Sequence, residues 1–80
     1  MTHRLKTVQP YFNEVDYNRK TFEVRKNDRD FNVGDTMILC EYIPEKDLHT
    51  GNGIDTVITY ILNDPNYCKE GYVIIGFKKL

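Results

Sequence analysis

Charged side chains are concentrated between Arg19 and Phe31, where eight of 13 residues are ionisable. Within this stretch Phe22 and Val24 alternate with Glu23 and Arg25, which is the period-2 pattern of a β-strand. A strand that buries Phe22 and Val24 presents Glu23 and Arg25 together on its other face. Two opposite charges one pleat apart orient each other and still offer hydrogen bonds to a ligand. The alternative is a solvated surface ion pair, worth about 0–1 kcal/mol.

Five strands and one early helix are predicted to position these charges. Pro10 suits a first helical turn, and Tyr11, Phe12 and Val15 after it fall on one helical face, which predicts a helix over residues 10–18. Period-2 runs bounded by turn residues predict the strands, which are His3–Val8, Phe22–Lys26, Thr36–Ile43, Asp55–Leu62 and Tyr72–Lys78.

The predicted strands differ in how much of their surface is apolar. Thr36–Ile43 is apolar on both faces and should therefore be central in the sheet. The segment 44–53 reads as a polar loop, in which Gly51 and Gly53 allow a tight reversal. The pattern favours a mainly β fold with one helix (α+β): a small five-stranded β-barrel with the helix near the N-terminus. A two-layer α+β sandwich with an open sheet is the alternative.

Length and composition limit the classes of function. Eighty residues predict a single domain over 1–80. A formal net charge of −1 and a pI of about 6.1 argue against a general polyanion-binding surface. The charge is nevertheless uneven, because residues 1–29 carry +3 and residues 30–80 carry −4.

Several motifs are missing from the chain. Cys40 and Cys68 lack ligand-spaced partners and the carboxylates do not cluster, so we expect two reduced thiols and no metal site. No phosphate-binding glycine motif is present, so we expect no cofactor. No apolar run approaches about 18 residues, so we expect no membrane partner, a cytoplasmic location and a monomer.

The segment Asn18–Arg25 resembles the signature of the ASCH domains of the PUA-like superfamily. That signature is a small residue, any residue, Lys, two residues, Glu, one residue and Arg, placed just after the first helix. Asn18 stands where the family usually has Gly, and Asn tolerates the left-handed conformation that a helix end needs. The likeness is to a small bacterial and phage group of ASCH-like proteins. It extends through His3–Lys6, Arg25–Phe31, Val33–Asp35, Glu41–Tyr42, Thr50–Gly51, Thr59–Leu62 and Gly71–Tyr72.

The resemblance implies a PUA-like barrel with a cleft between the helix, the motif strand and neighbouring loops. Lys20, Glu23 and Arg25 would lie at the wall of this cleft. Lys20 and Arg25 suit a phosphate, and the carboxylate of Glu23 suits an amino group on a base. Lys26 and Arg29 would extend the site. Because PUA-like relatives typically bind RNA, we expect a non-enzymatic module that binds RNA or a nucleotide.

Two other functions stay open. Some compact ASCH proteins, which this chain resembles, remove acyl groups from the exocyclic nitrogen of acylated cytidine nucleosides, using a Lys, a Thr three residues later and a distant Glu. Lys20 matches, but Glu23 replaces the Thr, so an amidohydrolase would have Lys20 and Glu23 as its candidate catalytic residues. The other alternative is a phage or bacterial protein-interaction module.

Three further residues carry simpler expectations. A lone N-terminal His3 is expected to be exposed to solvent. Tyr60 has the ring needed to stack on a base, but a tyrosine in a strand is expected to pack in the core. Asp28 is expected to close a turn through its own side chain.

Overall fold

The computed structural model describes residues 1–80 and consists of one five-stranded sheet that curls into a half-barrel around a short helix. The sheet order is β1-β3-β4-β5-β2, in which β1 is parallel to β3 and the other pairs are antiparallel. The fold is mainly β with a single α-helix, as predicted. The elements are β1 (Thr2–Thr7), α1 (Tyr11–Asp16), β2 (Phe22–Lys26), β3 (Thr36–Ile43), a 3₁₀ turn (Pro44–Lys46), β4 (Leu48–Leu62) and β5 (Tyr72–Lys79).

One apolar core fills the concave side of the sheet. Phe12 and Val15 of α1 are buried in it, so the helix packs on this core through one face. Tyr11 was predicted on the same helical face but is 52% exposed. Asn18 follows the helix with φ of 60°, which is the left-handed conformation predicted for it. The other core residues are Leu5, Met37, Leu39, Ile54, Ile58, Val73, Ile75 and Phe77.

The edge strands β1 and β2 do not form a backbone ladder with each other, and arginine side chains bridge them instead. Arg25 donates from Nη2 to the carbonyl oxygen of Lys6 at 2.9 Å. Arg29 donates from Nη1 to the carbonyl oxygen of Arg4, also at 2.9 Å. Carbonyl groups at a free sheet edge need partners. The two guanidinium groups therefore bond to edge carbonyl groups of β1 and link the two edges of the curled sheet.

Strands β2 and β3 begin and end at the predicted residues, but β4 begins seven residues before the predicted Asp55. The chain reverses at the 3₁₀ turn and Asp47, whose φ is 47°, and not at Gly51 and Gly53 as predicted. These glycines lie inside β4, where the register with β3 shifts between Cys40 and Tyr42. Gly51 has φ of 92°, which fits a β-bulge. The predicted loop is therefore a bulged hairpin.

A second bulge lies where the register between β4 and β5 shifts between Ile58 and Tyr60. Because the bulge adds one residue, both Ile58 and Ile61 face the core. Tyr60 turns outward and is 64% exposed. The prediction that Tyr60 packs in the core is wrong for this reason.

The alternation in β2 is present, but the faces are opposite to the prediction. Phe22 and Val24 are 47% and 53% exposed, whereas Glu23 is only 5% exposed. Glu23 faces inward because its carboxylate lies between the cations of Lys20 and Arg25, which compensate its charge. The prediction that Phe22 and Val24 point into the core is therefore wrong.

Candidate functional site

A cavity of about 820 Å³ lies beside the open edge between β1 and β2. Apolar residues of β3, Ile38 and Cys40, form part of its lining, together with glycines of the bulged hairpin. The volume is within the range of small-molecule sites, which is about 300–1,000 Å³. Its charged and titratable lining residues are Arg4, Lys6, Arg25, Arg29, Glu41 and His49.

Strand β1 places two of the four cations. Leu5 is buried, so the strand pleat turns Arg4 and Lys6 to the exposed side. In the parallel register Arg4 pairs with Ile38, and Lys6 pairs with Cys40. Each cation therefore stands beside an apolar residue of β3. Neither side chain forms an ion pair, so both charges are free to meet an anion.

The other two cations come from β2 and from the loop after it. Arg25 and Arg29 each donate one N–H to a β1 carbonyl, as described above. A guanidinium has five N–H donors in a planar fork, so further donors remain for a ligand. The bonds to β1 fix the two side chains before any ligand binds. This preorganisation reduces the entropy that binding would otherwise lose.

Glu41 is the one carboxylate in the lining, and three side chains already donate to it. Asn52 and Thr50 donate to Oε1 at 3.0 and 2.8 Å, and Gln9 donates to Oε2 at 2.6 Å. These bonds, that of Asn52 above all and then those of Gln9 and Thr50, lower the pKa of Glu41 below its ordinary value. The carboxylate therefore braces the bulged hairpin. Four cations against this one carboxylate give the lining a formal charge of +3 when His49 is neutral.

A buried ion cluster lies behind Arg25. Glu23 Oε2 accepts a bond of 2.6 Å from Lys20 Nζ, and Glu23 Oε1 lies 3.5 Å from Arg25 Nη2. The side chains of Lys20 and Arg25 are 16% and 24% exposed. Arg25 Nη2 also donates to the hydroxyl of the buried Thr7 at 3.3 Å. The cluster thus orients Arg25 toward the cavity from inside the half-barrel.

The structure separates the five residues that the sequence suggested for ligand binding. Arg25 and Arg29 line the cavity. Lys20 and Glu23 are brought together with Arg25 but are not part of the lining. Lys26 lies on the exposed outer side of β2, because it is one strand position away from Arg25.

Four of the charged or histidine side chains in the lining, Arg4, Lys6, Glu41 and His49, were not among those predictions. Arg4 and Lys6 had a detectable signal, since both fall on the exposed face of the predicted first strand. Glu41 and His49 had none, because a bulge between distant segments brings them to the cavity. Cys40 in the lining and Cys68 outside it are both free thiols, as predicted.

A second polar cluster lies away from the cavity and ties the start of β1 to the start of β3. His3 is 4% exposed, contrary to the prediction that it is exposed. Its Nε2 lies 2.8 Å from Asp35 Oδ2, and its ring packs against that of Phe31 with the centroids 4.7 Å apart and the planes tilted by 53°. The pairing with Asp35 and the contact with Phe31 explain how this histidine is accommodated inside the fold.

No three His, Cys, Asp or Glu side chains are grouped in a way that could hold a metal ion. Neither helical segment has the length and apolar character required to cross a membrane.

Comparison with known proteins gives two matches. The family model described as "Domain of unknown function (DUF3850)" matches residues 2–77. The chain is also 33% identical over 73 residues to the "Uncharacterized 12.9 kDa protein in GpA 3'region" of Escherichia phage P2. This alignment covers 91% of the chain and 64% of the phage protein, so the chain spans less than two thirds of the length of that relative.

Proposed function

This chain belongs to the DUF3850 family, and we propose that it binds a nucleotide or single-stranded RNA in the cationic cavity without turning it over. The observation that carries the proposal is the lining itself. Four cations face one cavity, and the single carboxylate among them is already bonded to three donors. Such a site favours a ligand with concentrated negative charge, and phosphate groups match the planar fork of arginine.

The apolar part of the lining supports a nucleotide over a bare inorganic anion. Ile38 and Cys40 lie beside Arg4 and Lys6 in register, so a phosphate on the cations places the attached nucleoside near apolar surface. His49 and the ring of Tyr42, which is 4.4 Å from Lys6 Nζ, lie at the hairpin side of the same region. A mixed lining of this kind is typical of sites for small organic phosphates.

The resemblance of the motif to ASCH domains supports the same proposal. We propose that the half-barrel is a PUA-like fold and that Lys20 and Glu23 act as positioning residues for Arg25. In this form of the hypothesis the ligand meets Arg25 and Arg29 directly, and the Lys20–Glu23 pair stays behind them.

Calorimetric titration with mononucleotides and short single-stranded RNAs tests the proposal. Arg29→Gln should weaken binding about tenfold or more, because a charge-assisted bond contributes about 1.5–3 kcal/mol. Arg19→Gln is the matched control, since Arg19 carries the same charge but lies on the surface in an ion pair with Glu14. Equal losses in both variants, or no binding by the wild type, would refute the proposal.

The alkylation rates of the two cysteines provide an independent test of where the ligand binds. Cys40 lines the cavity and Cys68 does not, so a bound ligand should slow alkylation of Cys40 alone. Mass spectrometry after brief alkylation measures both sites in one sample. Equal protection of both thiols would argue against binding in this cavity.

The amidohydrolase alternative is tested with the same protein. Lys20 and Glu23 are paired at 2.6 Å, and the hydroxyl that lies beside this cluster is that of Thr7. N-acylated cytidine should therefore be included among the ligands and its hydrolysis followed by chromatography. Steady product release that Lys20→Ala abolishes would replace the binding module with the enzyme.

A further inference from the structure

The convex face of β4, β5 and β2 carries exposed aromatic and aliphatic side chains that no part of the chain covers. Two rows cross the three strands in register. In one row Gly76 of β5 lies between Tyr60 and Phe22, which are 64% and 47% exposed. In the next row Ile74 lies between Leu62 and Val24. None of these residues lines the cationic cavity.

The first row has the shape of a slot for a planar ring. Adjacent strands are about 4.8 Å apart, so the backbones that carry Phe22 and Tyr60 are separated by about 9.6 Å. Gly76 between them has no side chain, and the hydroxyl of Thr59, 3.6 Å from where a Cβ of residue 76 would lie, borders the space on the β4 side. A planar ring needs about 3.5–4.0 Å of contact distance on each side. A base therefore fits between the two aromatic side chains, above the glycine.

The charges on this face suit a polyanion. Lys26 pairs with Tyr72 at one end of the face, and Lys78 pairs with Val57 at the other. No outward-facing residue of β2 or β5 is acidic, and Asp55 is the one acidic residue that β4 adds between its buried neighbours Ile54 and Thr56. Lys20 Nζ lies 5.2 Å from the ring centroid of Phe22, but its charge is compensated by Glu23, so Lys26 and Lys78 are the cations that this face offers. A backbone of phosphates would thus meet lysines on both sides of the slot.

We propose that this convex face is a stacking platform for single-stranded nucleic acid. One unpaired base inserts between Phe22 and Tyr60 above Gly76, and neighbouring phosphates meet Lys26 and Lys78. Stacking on aromatic side chains combined with a basic surface is the general mode of sequence-tolerant binding to single strands. A protein partner would also cover apolar surface, but Lys26 and Lys78 flank the slot against one acid on this face, Asp55 of β4, and this excess of positive charge favours a polyanion. The platform adds a second contact surface to the proposed nucleotide or RNA function and uses different residues.

Fluorescence anisotropy with labelled ten-nucleotide oligouridine is the direct test. Tyr60→Leu and Phe22→Leu keep an apolar side chain but remove the aromatic ring, and each should weaken binding at least fivefold. Gly76→Val should weaken binding as well, because the valine side chain fills the slot while its Cβ makes ordinary contacts with Thr59 Oγ1 at 3.6 Å and Tyr60 Cβ at 3.7 Å. Tyr67→Leu is the matched control, since Tyr67 is 75% exposed but lies outside the strands. An abasic oligonucleotide of the same length should bind to the wild type less tightly than oligouridine does. Its affinity should change little in the three variants, because it has no base to stack.

The outcomes separate the platform from the cavity. Platform variants should leave mononucleotide binding in the cavity unchanged, whereas Arg29→Gln should weaken it. Unchanged oligouridine affinity in Tyr60→Leu and Phe22→Leu would overturn the platform and leave the cavity proposal standing. Equal loss in Tyr67→Leu would also overturn it. The sedimentation coefficient provides the last distinction. If it changes in the platform variants while their affinity for oligouridine does not, the face is a protein contact and the nucleic-acid assignment is refuted.

Discussion

At the scale of single residues, Glu23 determines which side of β2 faces inward. An ionised carboxylate can be buried only when opposite charges and hydrogen bonds compensate its lost hydration. Lys20 and Arg25 provide that compensation from positions three residues before and two residues after it. Phe22 and Val24 are consequently left on the outer side, where they form part of the convex face. Hydrophobic alternation alone does not reveal this preference, because it gives the period of the strand but not the side that is buried.

Glu23→Gln should destabilise the fold. The substitution leaves Lys20 and Arg25 without their shared counter-ion in a partly buried position, and both cations keep some access to water. We expect a loss of about 1–3 kcal/mol in the free energy of unfolding, measured by urea denaturation. Glu14→Gln removes an exposed partner of Arg19 and should change the free energy of unfolding far less. Equal effects of the two substitutions would show that the Glu23 cluster does not stabilise the fold.

Asp35 should make the stability depend on pH in the acidic range. Its hydrogen bond with His3, followed by those from the Met1 amino group and the Asn32 amide, lowers the pKa of Asp35 below its ordinary 3.8. Since the folded-state pKa is the lower one, the stabilisation is complete above the ordinary value and is lost as the pH falls through the folded-state value. Asp35→Asn should therefore flatten the decrease in unfolding free energy below about pH 4.

Urea denaturation at a series of pH values measures this effect. Asp30→Asn is the control, because Asp30 is nearby but forms no ion pair. If the unfolding free energy of Asp35→Asn falls with decreasing pH as steeply as that of the wild type, Asp35 is not the cause of the pH dependence.

At the scale of elements, local patterns predicted β2 and β3 but not the hairpin that completes the cavity. The bounds of those two strands follow from residues within each strand and from the turns beside them. The bulges in β4 depend on which residues of β3 and β5 lie opposite, and a period count along one strand contains no such information. For the same reason the predicted binding residues included Arg25 and Arg29, which line the cavity, but not Glu41 and His49, which line it too. The bridges from Arg25 and Arg29 to β1 likewise depend on the curl of the whole sheet.

Gly51→Ala should destabilise the hairpin, because residue 51 has φ of 92° and a side chain is strained there. We expect a cost of about 1–2 kcal/mol in the free energy of unfolding. Gly53→Ala is the matched control, since its Cβ would meet Ile38 at an ordinary 3.5 Å and its φ is not in the left-handed region. Hydrogen exchange of the β3–β4 hairpin should accelerate in Gly51→Ala alone. Equal behaviour of the two variants would show that the bulge does not require the glycine conformation.

At the scale of the whole molecule, a small net charge conceals a strong separation of charge. The chain carries −1 in total, yet the cavity lining carries four cations and one carboxylate. The molecule measures 35 × 27 × 24 Å, which is several times the Debye length of about 8 Å at physiological ionic strength. Acidic groups on distant surfaces are therefore screened from the cavity. Net charge alone argued against a polyanion surface, but a confined cationic site is compatible with it.

This separation predicts that binding of single-stranded RNA depends on salt through the cavity. Each phosphate that a cation neutralises contributes about −0.7 to the slope of log K against log salt concentration for single strands. Arg29→Gln should therefore reduce the magnitude of the slope by about 0.7, besides weakening binding at every salt concentration. Arg19→Gln should leave the slope unchanged, although it alters the net charge of the protein by the same amount. Anisotropy titrations with one RNA across a series of potassium chloride concentrations measure both variants against the wild type. If both substitutions change the slope equally, the overall charge of the molecule controls association. If neither substitution changes the slope, Arg29 does not bind a phosphate.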